Sequence, residues 1–122
     1  MSKILIVEDE TDLVTFMTQR LVKEGFEVIS AKDVYEAVEL VRKAKPDLLI
    51  LDLMLPAGGG LTVLKNLRAD REYAHIPVVV LTASHSPGYK EEVLKEGVQA
   101  YLEKPYDSPK LIAAIKKALA GK

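Results

Sequence analysis

The chain of 122 residues contains no cysteine. That removes disulfides, thiolate metal sites and thiol nucleophiles together, and suits a reducing, cytoplasmic setting. No stretch approaches the roughly 20 consecutive apolar residues that a membrane-spanning helix requires, and the start, Met1-Ser2-Lys3-Ile4, enters a strand pattern instead of a signal-peptide core. Charge of one sign is also missing. With 17 Lys+Arg against 18 Asp+Glu the formal net charge is −1, which gives no electrostatic case for direct nucleic-acid or membrane binding. No linker, internal repeat or low-complexity segment interrupts the chain. A hydrophobic content of 48% with 29% charged residues is that of a globular protein. The length predicts one domain over residues 1–122, burying roughly two thirds of its unfolded surface.

What the chain does have is alternation. Strand patterns near 3–7, 26–30, 47–51, 77–81 and 100–102 are interleaved with amphipathic helical patterns near 11–24, 34–44, 60–70, 88–96 and 108–120. Gly25 closes the first helix, Pro46 and Pro77 follow the second and third, and Ser108-Pro109 suits the N-cap and first turn of the last. The first, third and fourth runs are continuously apolar, as strands covered on both faces should be, while Val28-Ile29 and Ala100-Tyr101-Leu102 are shorter and read as edges. The predicted fold is a three-layer α/β/α sandwich around a five-stranded parallel sheet of order 2-1-3-4-5, with its topological switch point between strands 1 and 3.

Polar residues gather where such a sheet binds ligands, at the carboxyl ends of its strands. Glu8 and Asp9 end Ile4-Leu5-Ile6-Val7, Asp52 ends Leu48-Leu49-Ile50-Leu51, Thr82 ends Val78-Val79-Val80-Leu81, and Lys104 follows Ala100-Tyr101-Leu102. Three carboxylates in one crevice repel and need a counter-charge. Mg²⁺ fits them, because it takes an octahedron of oxygens with one or two carboxylates and retained waters; the Met54 carbonyl can supply a further oxygen. Asp52 also stands between that site and two groups suited to a phosphoryl group, the Thr82 hydroxyl and the Lys104 ammonium. A carboxylate is already deprotonated at neutral pH, so it can act as nucleophile without a general base.

Taken singly, each residue has a plainer reading: an acid at a strand end caps the next helix, Thr82 is a β-branched strand residue, and Lys104 is a solvated lysine. Tyr101 reads as a half-buried strand tyrosine. The run Gly58-Gly59-Gly60 lacks the Gly-Lys-Ser/Thr of a nucleotide loop, and His75 and His85 have no metal-ligand companions. On the first helix Leu13, Val14, Phe16, Met17, Leu21 and Val22 spread over a wider arc than one core-facing stripe requires, which leaves apolar surface for a docking partner or for tight packing.

Four motifs in order, Val7-Glu8-Asp9-Glu10, Leu51-Asp52-Leu53-Met54-Leu55-Pro56 with Gly60, Leu81-Thr82-Ala83 and Tyr101-Leu102-Glu103-Lys104-Pro105, resemble those of a response-regulator receiver domain of two-component signalling, a flavodoxin-like fold. The resemblance covers essentially the whole chain. It implies that Asp52 accepts a phosphoryl group from a phosphohistidine on a sensor histidine kinase or a histidine phosphotransfer protein. It further implies that Glu8, Asp9 and Asp52 hold Mg²⁺, that Thr82 and Lys104 contact the phosphoryl group, that Tyr101 changes rotamer on activation, and that the Lys104–Pro105 peptide is cis. The implied role is a signalling switch and not a metabolic enzyme, although it takes part in its own Mg-dependent phosphorylation and acyl-phosphate hydrolysis. The switched surface is helix 4, strand 5 and helix 5, facing an output partner the sequence does not name, in a monomer or a phosphorylation-dependent dimer.

Departures from the family pattern are few. Ala57-Gly58-Gly59-Gly60 replaces the usual Gly-x-Asp-Gly, Gln99 stands where aspartate is common, and Val34 where glycine is common. Met54 and Ser84 occupy the positions that tune acyl-phosphate hydrolysis in the family. A haloacid-dehalogenase-type phosphatase also uses an aspartyl phosphate but resembles Asp-x-Asp at the nucleophile, and here the second place is Met54. A receiver-like module without phosphorylation is disfavoured by Asp52, Thr82 and Lys104. The end at Gly121-Lys122 suits either a stand-alone regulator or a receiver within a longer protein.

Overall fold

The computed structural model describes residues 1–54, 59–83 and 87–121. Leu55, Pro56, Ala57, Gly58, Ser84 and His85, which the sequence reading singled out, lie outside them. The elements are β1 (Lys3–Val7), α1 (Thr11–Lys23), β2 (Glu27–Ala31), α2 (Val34–Ala44), β3 (Leu48–Leu51), α3 (Gly59–Ala69), β4 (Val78–Thr82), α4 (Pro87–Lys95), β5 (Ala100–Glu103) and α5 (Ser108–Ala120). The strands form one parallel sheet of order β2-β1-β3-β4-β5, the order that right-handed crossovers and the hydrophobicity of the central runs dictate.

Strand alternation decides which residues face which helices. Leu5, Val7, Leu49, Leu51, Val78 and Val80 pack with Ala37, Val41, Val63, Leu64, Leu67 and Val93 in one core layer, under α2, α3 and α4. Ile4, Ile6, Leu48, Ile50, Val79 and Leu81 face the other way, against Met17 and Leu21 of α1 and Leu111, Ile112 and Ile115 of α5. Every residue of β3 and β4 is buried, whereas β2 and β5 are only partly covered, as edge strands must be.

Local boundaries differ from the sequence reading by about one residue. Thr82 is the last residue of β4 and not the one after it. Helix α5 starts at Ser108, so Asp107 takes the cap position, without a side-chain cap bond, and Pro109 falls within the first turn. Both placements cost little, because the first-turn N–H groups that proline lacks have no intrahelical partner anyway. Lys45, ahead of Pro46, ends α2 in the left-handed region at φ 48°. Of the wide apolar arc on α1, Met17 and Leu21 are buried, Leu13 and Val14 partly so, and Phe16 and Val22 stand exposed.

Two side chains close the amino edge of the sheet. Asp47 donates its N–H to the Lys3 carbonyl at 2.8 Å and accepts the Lys3 N–H on Oδ2 at 2.7 Å. Gln99 does the same for β4, donating to the Val78 carbonyl at 2.9 Å and accepting the Val78 N–H on Oε1 at 2.8 Å. The glutamine thus does what an aspartate would do there, with one more methylene.

Helix α3 is seated tightly on the end of β3. A Cβ on Gly60 would collide with the Asp52 carbonyl oxygen and lie 2.7 Å from Leu53 Cα, and the Gly60 N–H donates to the Leu53 carbonyl at 2.9 Å. Gly60→Ala should therefore act as an overpacking change at backbone that cannot yield, lowering stability by roughly 1–3 kcal/mol. A urea-unfolding midpoint at or above that of the wild type would refute this close approach.

Candidate functional site

Carried one residue beyond the strands, the alternation sorts the polar residues by face. Glu8 continues the parity of Ile4 and Ile6, Asp52 that of Leu48 and Ile50, and Lys104 that of Ala100 and Leu102, so all three project on the α1/α5 side of the sheet. Thr82 continues the parity of Val78 and Val80 and belongs to the opposite, α2–α4 side. Tyr101, which pairs with Val80, packs on that same side. The strand ends are level: the Asp52 N–H donates to the Val7 carbonyl at 2.9 Å and the Lys104 N–H to the Thr82 carbonyl at 2.9 Å.

On the first face Lys104 Nζ donates to Glu8 Oε1 at 2.7 Å and to Asp52 Oδ2 at 3.1 Å. Both carboxylates are almost wholly buried, Glu8 at 2% and Asp52 at 4% exposure. Their remaining oxygens are held by backbone: Glu8 Oε2 accepts the Glu10 N–H at 3.1 Å and Asp52 Oδ1 accepts the Met54 N–H at 3.0 Å. Those two bonds fix the turns leaving β1 and β3. Asp9 is exposed, yet a carboxylate oxygen from each of Glu8, Asp9 and Asp52 lies within 4.8 Å of the others. Met54 is 58% exposed, so its side chain stands out in solvent beside the crevice. The Lys104–Pro105 peptide is cis.

Burial pushes the Glu8 carboxyl above its ordinary value; the bonds from Lys104 and the Glu10 N–H pull the other way, and the Asp52 charge adds to the rise. For Lys104 burial works downward, but the hydrogen bonds and charges of Glu8 and Asp52 outweigh it, so its ammonium is held above the usual lysine value. One ammonium thus faces three acids, an excess of negative charge in a poorly hydrated crevice. A donor set of carboxylate oxygens alone, in that excess, fits a hard divalent cation of the Mg²⁺ kind.

Several contacts had no signal in the sequence. Lys90 Nζ sits 5.2 Å from the centroid of the Tyr101 ring, and burial, with Tyr101 next, raises the Tyr89 phenol beside it. Arg68 in the last turn of α3 reaches four carbonyls across two other segments. A basic residue ending a helix is legible in sequence; its distant acceptors are not. Beside the ion cluster, Glu10, Leu13, Phe16, Lys104, Pro105 and Tyr106 line an open groove, into which part of the surplus apolar arc of α1 falls.

Residues 4–116 match the family model of the response regulator receiver domain. The polar-differentiation response regulator DivK of Brucella anthropi is 36% identical over 116 residues, spanning 95% of this chain and 94% of its own. The sensor histidine kinase TmoS of Ectopseudomonas mendocina is 38% identical over 120 residues, 98% of this chain but 12% of that much longer protein. Among solved structures, the signal receiver domain of a signal transduction histidine kinase from Syntrophus aciditrophicus superposes with a TM-score of 0.92 at 27% identity, covering 99% of this chain and 92% of that one. A putative response regulator from Chloroflexus aurantiacus gives 0.88 at 33% identity, covering 98% of both. Matched to that family model over residues 4–116, this chain belongs to the response regulator receiver domain family.

Proposed function

We propose that residues 1–122 form one phosphoacceptor domain, in which Asp52 takes a phosphoryl group from a phosphohistidine of a sensor histidine kinase or histidine phosphotransfer protein. The observation that carries this reading is the buried Asp52 carboxylate bonded to Lys104 at 3.1 Å and clustered with Glu8 and Asp9. In the transfer an Asp52 oxygen attacks phosphorus, the O–P bond forms, and the bond to the donor imidazole nitrogen breaks. Lys104 stays beside the acceptor and meets the growing negative charge, and the Thr82 hydroxyl donates to a phosphoryl oxygen. Glu8, Asp9, Asp52 and the Met54 carbonyl would hold Mg²⁺, which when bound supplies charge neutralisation on the phosphoryl oxygens. Drawing Thr82 toward the site empties space on the α2–α4 face, where Tyr101 lies diagonally across from it, and Tyr101 turning in would reshape the surface of α4, β5 and α5 for an output partner. The groove lined by Leu13 and Phe16, open beside Lys104, is the approach by which the donor's histidine would reach Asp52. Among the described residues no helix is long and apolar enough to cross a membrane, and the proposed setting is the cytoplasm. The phosphatase alternative gains nothing, because Met54 offers no proton to a leaving group.

Three measurements test this reading. Incubation with a small acyl phosphate and Mg²⁺ should add one phosphoryl group to the wild type and none to Asp52→Asn, as read by intact-mass spectrometry; equal labelling would remove Asp52 as acceptor. Millimolar Mg²⁺ should raise the melting temperature of the wild type, since it binds the folded crevice and not the dispersed acids of the unfolded chain. Without Mg²⁺, Asp52→Asn should melt higher than the wild type because one repelling charge is gone. A melting curve indifferent to Mg²⁺ would end the metal assignment.

The third measurement concerns pH. The folded-state value of Glu8 lies above the 4.5 of the free side chain, so the folded protein binds that proton more tightly than the unfolded chain. The resulting stability is fully present below pH 4.5 and is lost as pH rises through the folded value. Glu8→Gln, without metal, should thus gain stability relative to the wild type as pH climbs from 4.5 to neutrality. A difference in unfolding free energy that is flat across that interval would show that burial does not govern Glu8.

A further inference from the structure

Helix α4 is thinly attached. Among its described side chains Val93 is fully buried and Tyr89 packs partly buried on the same core layer, while Leu94 is exposed, so few core contacts hold its position and the contacts at its two ends matter. Lys65 of α3 reaches Glu92 at 3.0 Å, but both side chains are about half exposed, and such solvent-screened pairs contribute little. Near the first turn, Lys90 lies over the Tyr101 ring, also a weak contact at an exposed position.

The other end is held differently. Arg68 Nε donates to the Glu96 carbonyl at 2.9 Å and Nη2 to the Gly97 carbonyl at 3.1 Å, the carbonyls just past the end of α4. Nη1 of the same guanidinium donates to Ala74 at 3.1 Å and Ile76 at 2.9 Å, in the connection from α3 to β4. Carbonyls at a helix C-terminus lack intrahelical partners and carry the negative end of the helix dipole, so a cation there is doubly favoured. A planar fork serving four acceptors is beyond the reach of a lysine. The helix that carries Arg68 is itself held at its other end, where Gly60 in the first turn of α3 is jammed against the Asp52 and Leu53 backbone. The C-terminal end of α4 is therefore tied to the backbone of Asp52 through one rigid helix.

We propose that Arg68 is the pivot of α4: on phosphorylation the Glu96–Gly97 end stays fixed on the guanidinium and the Tyr89–Lys90 end swings and re-docks against Tyr101. The inference rests on the reading of Asp52 as acceptor and makes Arg68 a positioning residue, touching neither the acceptor nor its ligands. Without the pivot, rearrangement at Thr82 and Tyr101 would spread as a shift of the whole helix.

Backbone amide NMR of the full chain with Mg²⁺, before and after adding beryllium fluoride as an inert phosphoryl stand-in, tests this. In the wild type the shifts at Ala83, Tyr89, Lys90 and Tyr101 should be several-fold larger than those at Glu96 and Gly97. In Arg68→Met the stand-in should bind with unchanged affinity, while the shifts extend to Glu96 and Gly97; Arg68→Lys, which keeps the charge and loses the fork, should behave likewise and serves if the methionine variant does not fold. A wild-type response as large at Gly97 as at Tyr89 overturns the pivot, and that result needs no variant. Variants that lose stability yet keep the wild-type distribution of shifts overturn it too, leaving Arg68 a purely structural residue. No shift around Asp52 in the wild type would instead bring down the acceptor reading, and the pivot with it.

Discussion

A single ammonium group holds the crevice together. Lys104 comes from the edge strand β5 and bridges to residues ending β3 and β1, across β4. Neighbouring strands are about 4.8 Å apart, so the bridge exists only because β1, β3, β4 and β5 end at one level and because lysine and glutamate are long enough to meet. The arrangement is costly in its own right: two buried carboxylates and an ammonium lose much of their hydration, and attraction offsets that only while the ammonium is present. Removing Lys104 would leave two buried carboxylates uncompensated, typically at a cost of about 3–5 kcal/mol, whereas removing one acid still leaves the ammonium a partner. The crevice thus carries an excess of negative charge that one ammonium does not balance.

The same alternation that builds the core separates two tasks. Ionic residues fall on the α1/α5 face, and Thr82 and Tyr101 on the α2–α4 face, one layer of backbone apart. In the proposed switch, a charge event on one side would pass to a packing event on the other through the sheet itself, with no long chain of intermediates. Side chains on opposite faces of one strand cannot be exchanged by small rearrangements, so the division is stable to sequence drift in the surrounding loops.

Much of this was legible because it depends on short-range pattern. Period-two runs located the strands, and their hydrophobic continuity set β1, β3 and β4 in the middle. The residues at the strand ends followed from the topology. What escaped depends on side-chain reach. The sequence pattern points Lys104 at a phosphoryl group, and nothing in it says that this lysine also bonds Glu8, 96 positions away. The grip of Arg68 on Glu96 and Gly97, across nearly 30 positions, was equally invisible. Boundaries slipped by one residue where proline permits either of two first-turn positions, as at Ser108-Pro109. The apolar excess on α1 was visible, but only packing reveals that Phe16 and Val22 are the residues left outside.

At the amino edge of the sheet, Asp47 and Gln99 imitate an extra residue of backbone for Lys3 and Val78. In an antiparallel hairpin a tight turn fixes how two strands slide past each other; parallel strands joined through long helical crossovers have no such ruler. These two side chains act as end stops. Were β3 or β5 to slip along its neighbour, each would lose both halves of a reciprocal pair at once. These two pairs thus add to the ladder and the buried pattern in holding strand alignment, at the end of the molecule farthest from the crevice, and the level strand ends on which Lys104 depends gain from them.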